Sequence, residues 1–320
     1  MCNMGRNKKR FLIISLVLIL AIPASYFLSG FEKLELNEQT RASAPGSFAS
    51  LPSGITHYEY TGDPEKPFVI LIHGFSVPYF IYDPTVPALA NAGYSVLRYD
   101  VYGRGFSDRP ETDYDLDLYL AQLNELLAYL NADRPLHLVG LSQGAPVAAA
   151  FANRNSARVV SLTLIDPLIQ QVTPAGILPM GISLIGEYFA RVALVPHILP
   201  ASQPKDFHHP ENFPDFEERY REQLQYKGFT RAILSSIRHL PGLDPLAEYQ
   251  AAEEKGIPIQ LIWGRHDQTI PYSDIEQLKD TIALKLHIIE DAGHIPHFEQ
   301  AQAVNPILIN FFSESTLGNR

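Results

Sequence analysis

From about Ile55 onward, short apolar runs alternate with longer stretches that carry apolar residues at helical spacing. The run at 68–72 is continuously apolar and ends at His73 and Gly74, which is typical of a strand buried on both faces. Five further runs predict strands, and the stretches between them predict helices: strands at 94–99, 136–141, 159–165, 257–263 and 284–290, helices at 116–130, 145–152 and 304–312. This alternation predicts an α/β fold with helices flanking a mostly parallel central sheet.

The stretch from 168 to 251 interrupts this alternation. It is rich in proline, has no evident strand, and concentrates its apolar residues in helical stretches at 182–195, 216–225 and 232–240. We interpret it as a helical cap inserted before the last two strands. Such a cap would cover the carboxyl edge of the sheet, where open α/β sheets bind ligands. The predicted domains are a core of residues 55–167 and 252–320 and a cap of residues 168–251.

The N-terminal residues have a different pattern. Four cations precede an apolar run at 11–22, and the chain stays mostly apolar as far as residue 31 (the cations are Arg6, Lys8, Lys9 and Arg10). Basic residues beside such a run hold that end in the cytoplasm. We interpret residues 1–31 as an uncleaved membrane anchor, with a cleaved signal or a buried helix as alternatives, and residues 32–54 as a linker. The rest of the chain would then lie on the extracytoplasmic side, anchored or exported.

Composition excludes several kinds of partner. The formal net charge of −10 argues against nucleic acid, because phosphate binding needs a basic surface. The only cysteine is Cys2, so neither an internal disulfide nor a thiolate metal site can form. A hydrophobic content of 46% is that of a packed globular protein. We expect no metal and no organic cofactor.

A candidate nucleophile follows the strand predicted at 136–141. Residues 140–144 read Gly140-Leu141-Ser142-Gln143-Gly144, and an alanine-rich helix comes next. Glycines on both sides permit a sharp strand-to-helix turn that lifts the Ser142 hydroxyl above the sheet. The turn also places Ser142 at a helix N-terminus, where free backbone N–H groups favour negative charge.

A serine hydroxyl needs a base to take its proton, and that base needs a carboxylate to orient it. His294 lies in a loop after the last strand, beside Gly293, and is our candidate base; His297, beyond a proline, is the alternative. Asp267 follows the penultimate strand and is our candidate acid, with Asp166, at the end of the strand before the cap, as the competing residue.

An oxyanion formed at this serine would need two backbone donors. We expect one to be the N–H of Gln143, directly after Ser142. The other should come from the loop after the strand at 68–72, and we assign it to Phe75. His73 and Gly74 would support this loop, since Gly74 lets the backbone approach closely.

Taken together, these motifs resemble the α/β-hydrolase superfamily over residues 55–312. The resemblance rests on His73-Gly74-Phe75, the elbow at Ser142, the loop at Asp267, Gly293-His294 and the stretch 100–107 (Asp-Val-Tyr-Gly-Arg-Gly-Phe-Ser). Within it, the chain looks like the capped esterase and lipase branch. In the family, the catalytic residues follow one another along the chain in the order serine, acid, histidine. The stretch that corresponds to 100–107 is a structural turn in the family and not part of the site. One departure is Ala145, where many relatives carry glycine.

The resemblance implies a serine hydrolase that cleaves carboxylic esters through an acyl-enzyme. C–C bond hydrolysis or cofactor-free perhydrolysis on the same residues is the alternative, and a catalytically silent binding protein is a distant one. Dehalogenases and epoxide hydrolases of this fold carry aspartate as the nucleophile, so Ser142 argues against both. The apolar cap residues suggest a site for an apolar, lipid-like acyl chain: Ile177, Leu178, Met180, Ile182, Leu184, Ile185 and Phe189.

Overall fold

The computed structural model describes residues 11, 21 and 23–318. Eight strands form one sheet in the order β1-β2-β4-β3-β5-β6-β7-β8. Their bounds are β1 Ser47–Leu51, β2 Gly54–Thr61, β3 Phe68–Ile72, β4 Ser95–Tyr99, β5 Leu136–Leu141, β6 Val159–Ile165, β7 Ile259–Gly264 and β8 Lys285–Ile289. Strands β1, β2 and β4 pair antiparallel, and every later pair is parallel. The predicted fold, a mostly parallel sheet of the α/β-hydrolase type, is confirmed.

Helices cover both faces of this sheet. Along β3, Phe68, Ile70 and Ile72 pack on one face, while Val69 and Leu71 pack on the other, and all five are fully buried. Burying a side chain of this size contributes roughly 1.5–3 kcal/mol. From residue 38 onward, the α-helices are α1 Glu38–Arg41, α2 Thr85–Asn91, α3 Leu116–Tyr129, α4 Gly144–Arg154, α5 Ile185–Phe189, α6 Leu199–Ser202, α7 Phe216–Glu222, α8 Phe229–His239, α9 Pro245–Glu254, α10 Ser273–Thr281, α11 Pro296–Glu299 and α12 Ala301–Gly318.

Between β6 and β7 the chain forms helices and turns without a strand, including a π-helical segment, Ala190–Ile198. This is the stretch interpreted as a cap, and the name "cap" is kept here for residues 168–251. The division into core and cap domains stays a prediction.

Ordered structure begins earlier than the predicted Ile55. Residues of the expected linker form α1 and the edge strand β1, which pairs with β2 from Ser47 opposite Tyr58 to Leu51 opposite Gly54. Farther upstream, the carboxylate of Glu32 accepts hydrogen bonds from the backbone N–H groups of Gly228 (2.9 Å) and Thr230 (2.5 Å), at the start of α8. The interpretation of residues 32–54 as a linker is therefore wrong for most of its length.

The expected membrane-anchored location is contradicted. Throughout the residues described, no helix is both long and apolar enough to cross a bilayer. Most of the apolar run at 11–22 lies outside those residues. The following helical residues, 23–28, contact the cap: the Tyr26 and Tyr188 rings stack 6.5 Å apart, and Arg191 donates to the Tyr26 carbonyl. These contacts place the second half of the predicted anchor against protein.

Candidate active site

A strained turn presents Ser142 at the end of β5. Its φ of 52° lies in the left-handed region, which non-glycine residues adopt at a cost of about 1–3 kcal/mol. The flanking glycines leave no room for side chains: a Cβ on Gly140 would lie 2.5 Å from Cα of Ala145, and one on Gly144 would lie 2.5 Å from the Ile72 carbonyl oxygen. Ala145 is fully buried against this turn. The elbow expected from the sequence is thus formed by close backbone packing.

Asp267 and His294 meet across two loops that follow β7 and β8. Nδ1 of His294 lies 2.8 Å from Oδ2 of Asp267. The other oxygen, Oδ1, accepts from the N–H groups of Thr269 (2.7 Å) and Ile270 (3.1 Å). One oxygen of Asp267 is therefore held by its own loop, and the other remains to orient the imidazole.

Asp166, the competing acid, is buried behind this pair. Its Oδ1 accepts from the N–H of Gly264 at 3.0 Å, and burial, followed by the charge of Asp267, raises the pKa of Asp166 well above its ordinary value. Burial thus favours the neutral form of Asp166. One nitrogen or oxygen atom from each of Asp166, Asp267 and His294 lies within 4.8 Å of the others, a spacing that could hold a metal ion. However, Nδ1 of His294 already forms a hydrogen bond with Asp267. The expectation of no metal stays a prediction.

His297, the alternative base, is fully buried with its ring centroid 4.8 Å from that of Tyr82. Burial and the nearby His294 lower the pKa of His297 to about 3. His297 is not among the residues that line the cavity at Ser142. Its position is that of a neutral packing residue.

His294 faces two carboxylates. Burial lowers its pKa, but Asp267 and Asp206 oppose this effect, and the net result is a raised pKa for His294. Asp206 comes from the cap, where its Oδ1 accepts from Thr269 Oγ1 at 3.0 Å. Burial also raises the pKa of Asp206. The cap therefore contributes charge to the surroundings of the candidate base.

Ser142 and His294 open on one cavity of about 430 Å³. Core residues form one side of it: Gly74, Phe75, Ser76, Val77, Leu141, Gln268, Thr269 and Ile295. Cap residues form the other side: Leu199, Ser202, Gln203, Lys205 and Asp206. None of the seven apolar cap residues expected to form an acyl site lines this cavity, and Leu184 is 81% exposed. These seven residues therefore do not form the wall of the cavity at Ser142, and an apolar acyl site stays a prediction.

The two expected oxyanion donors lie on neighbouring loops, because Ile72 of β3 pairs with Gly140 of β5. His73 supports the first loop. The N–H of Val101 donates to His73 Nε2 at 3.0 Å, so Nδ1 carries the proton and donates to the Gly74 carbonyl at 2.9 Å. Burial lowers the pKa of His73 to about 4, in keeping with this neutral form. The roles of Phe75 and Gln143 as donors stay predictions.

Two further residues hold the Phe75 loop, and the sequence reasoning missed both. Arg104, fully buried, donates from Nε to the Phe75 carbonyl at 2.7 Å and from Nη2 to Ser236 Oγ at 2.9 Å. Gln223 of the cap donates to the Ser76 carbonyl at 2.8 Å and accepts from the Gly105 N–H at 3.0 Å. The glycines on either side of Arg104 indicate a tight turn and could have drawn attention to this residue. Nothing in the local sequence distinguishes Gln223 from a surface residue.

Comparison with known proteins finds relatives that cover most of the chain. The chain is 26% identical over 292 residues to epoxide hydrolase 3 of Xenopus tropicalis, covering 84% of this chain and 77% of that protein. It is 23% identical over 269 residues to monoacylglycerol lipase ABHD6 of Bos taurus, covering 80% and 78%. The solved enol-lactonase of Burkholderia xenovorans shares the fold, with a TM-score of 0.72, 22% identity and coverage of 83% and 100%.

The sequence pattern of the alpha/beta hydrolase family matches residues 69–307, about three-quarters of the chain. This span contains the elbow at Ser142 and the paired Asp267 and His294. The family and the relatives together support a hydrolytic enzyme. The chain therefore belongs to the alpha/beta hydrolase family.

Proposed function

We propose that this chain is a serine esterase in which Ser142 is the nucleophile, His294 the base and Asp267 the acid that orients it. The observation that carries the proposal is the 2.8 Å bond between His294 and Asp267, beside a cavity that Ser142 also lines. Nucleophile, base and orienting acid are the three groups that acyl transfer needs.

In the proposed reaction, Oγ of Ser142 attacks the ester carbonyl carbon while His294 takes the hydroxyl proton. The N–H groups of Phe75 and Gln143 would stabilise the oxyanion of the tetrahedral intermediate. His294 then protonates the departing alcohol, which leaves an acyl group on Ser142. Water, activated by the same histidine, releases the carboxylic acid and restores the serine.

The serine supports ester rather than epoxide hydrolysis. One relative is an epoxide hydrolase and another a monoacylglycerol lipase. Epoxide hydrolases of this fold use aspartate at the elbow, where this chain has Ser142. C–C hydrolysis and perhydrolysis would use the same three residues and are the outcomes to consider if esters fail.

The size of the cavity favours short acyl chains. About 430 Å³ lies near the lower end of ordinary ligand pockets. We therefore propose esters of short carboxylic acids as the substrates, in place of the lipid-like chains expected from the sequence.

The test is hydrolysis of p-nitrophenyl esters from acetate to palmitate by the full chain, with Ser142→Ala as the control. We expect kcat/KM to be at least about tenfold higher for acetate or butyrate than for palmitate. Ser142→Ala should fold normally and lose essentially all turnover. Hydrolysis that persists in Ser142→Ala would exclude the mechanism, and a folded wild type that cleaves no ester would exclude the esterase.

A further inference from the structure

One carboxylate joins the histidine loop to the cap. Glu299, at the end of α11, accepts three backbone hydrogen bonds. Its Oε2 accepts from the N–H of Gly293 at 2.8 Å and from that of His208 at 3.0 Å, and its Oε1 accepts from the N–H of His209 at 2.7 Å. Gly293 directly precedes His294, whereas His208 and His209 belong to the cap. Glu299 therefore bridges two segments that lie about 85 residues apart in the sequence.

The same cap segment, residues 206–209, also touches the loop that carries Asp267. Asp206 accepts from Thr269, and the rings of His208 and His266 stack 3.7 Å apart at 6°. His266 and Thr269 flank Asp267 on either side. The cap segment is thus seated on both loops from which the acid–base pair projects.

Gly293 shows how closely the two segments pack. A Cβ built on Gly293 would lie 2.5 Å from the carbonyl oxygen of Asp206 and 2.9 Å from the carbonyl carbon of Phe207. Backbone therefore lies directly against backbone at this point. A displacement of the cap segment removes both this contact and two of the three donors to Glu299.

We propose that Glu299 is a positioning residue that makes the placement of His294 depend on the seating of cap residues 206–209. The inference rests on the proposed function of Ser142 and His294. Hydrogen bonds to an ionised carboxylate are stronger than those between neutral groups, so the bridge is suited to hold the loops in register. His294 is then in position only while the cap is closed over the cavity.

A change in the position of His294 has a measurable electrostatic signature. The ionisable groups near this imidazole are Asp267, Asp206, Asp166 and His297; Lys205 lines the same cavity, and Glu299 binds the adjacent Gly293. The net raised pKa of His294 depends on its closeness to the carboxylates of Asp267 and Asp206. Loss of the bridge should weaken both interactions and move the pKa of His294 down.

The first test is Glu299→Gln, with Glu290→Gln as a matched control on an exposed glutamate that pairs with Arg265. We expect kcat to fall roughly tenfold to hundredfold in Glu299→Gln with little change in KM, since small misplacements of catalytic groups cost this much. The acid limb of its kcat/KM profile should move to lower pH. Glu290→Gln should match the wild type. An unchanged kcat, or a reduced kcat with an unmoved acid limb, would overturn the proposal.

The second test does not depend on activity. Amide hydrogen exchange should accelerate in Glu299→Gln both at 290–295 and at 205–210, because the two segments lose the same acceptor. Exchange that accelerates in only one of them would overturn the coupling. If the wild-type protein shows slow amide exchange in both segments and yet cleaves no ester, the proposed function is excluded. In that case the coupling of the two segments by Glu299 is retained.

A cap-side variant covers the case in which Glu299→Gln does not fold. His208→Pro removes one N–H donor, and the extended Phe207 before it (φ −103°, ψ 149°) already has the conformation that a proline requires of its predecessor. His208→Ala keeps that donor and serves as the control for the lost ring. His208→Pro should lower kcat and move the acid limb further than His208→Ala does, and equal effects of the two would overturn the proposal.

Discussion

Asp267 presents Oδ2 to Nδ1 of His294 at 2.8 Å while its Oδ1 is held by two N–H groups of its own loop. The carboxylate thus has a fixed orientation before any substrate arrives. Such an arrangement selects the tautomer of the histidine that leaves Nε2 free to accept a proton. Asp166 lacks this relationship, although its carboxyl group lies close by.

Replacing Asp267 and Asp166 one at a time with asparagine should distinguish their roles. Asp267→Asn should lower kcat roughly a thousandfold to ten-thousandfold, because an amide cannot stabilise the imidazolium and can impose the wrong tautomer. Asp166→Asn should cost less than about tenfold, since burial favours the neutral form of Asp166 and asparagine has the same shape. Steady-state kinetics on a short p-nitrophenyl ester measures both. A larger loss in Asp166→Asn would reassign the acid.

The dependence of kcat/KM on pH should change when Asp206 is replaced. Only the neutral imidazole accepts a proton, so kcat/KM rises with pH through the pKa of His294, which is raised above its ordinary 6.5. Asp206→Asn removes a carboxylate that raises this pKa. The acid limb should therefore move to lower pH. Asp280→Asn, an exposed carboxylate on α10, is the control and should leave the limb in place.

Arg104 should prove important for both stability and turnover. Arg104→Met leaves the Phe75 carbonyl and the Ser236 hydroxyl without its guanidinium, at a cost of about 2–4 kcal/mol in the free energy of unfolding. The Phe75 loop should also shift, which lowers kcat. Thermal unfolding and kinetics check the two effects. Arg265→Met, on an exposed arginine, should change neither, and a wild-type melting temperature for Arg104→Met would contradict the prediction.

The turn at Ser142 should not tolerate a methyl group at Gly144. Gly144→Ala would place Cβ 2.5 Å from the Ile72 carbonyl oxygen, a contact that forces β3 and α4 apart. We expect a loss of about 3 kcal/mol in unfolding free energy, measured by chemical denaturation. Gly242→Ala adds the same methyl group in open space and should be close to neutral. Equal stability of the two variants would show that the turn can relax.

The fold could be read from the sequence because its strands are buried on both faces. Strand β3 is a continuous apolar run followed by His73 and Gly74, and β5 is apolar apart from His137 and includes Gly140 of the elbow. The edge strand β1 was missed for the opposite reason: Ala49 is its only fully buried side chain, and Ser47 and Ser50 interrupt its apolar residues. Such a strand has no apolar run to reveal it.

The site likewise contains residues that the local sequence reveals and residues that it does not. Ser142, Asp267 and His294 stand beside turn residues at strand ends, so their positions could be inferred locally. Asp206 and Glu299 act through contacts with residues far away in the sequence, and neither has a local pattern that distinguishes it from a surface acid. The apolar stretch at 177–189 misled the sequence reasoning because hydrophobicity does not say whether a residue faces a cavity or solvent.

The contact between Glu32 and the start of α8 has a consequence for how the chain is made. Thr230, the farther of its two donors, follows Glu32 by 198 residues. During synthesis, residues that precede the first strand must wait until most of the chain has emerged before they find their partner. Pairings of such long range form late and slow folding, because a large loop must close first. We therefore expect this segment to be among the last parts of the described chain to reach its final place, although it is synthesised before its partner.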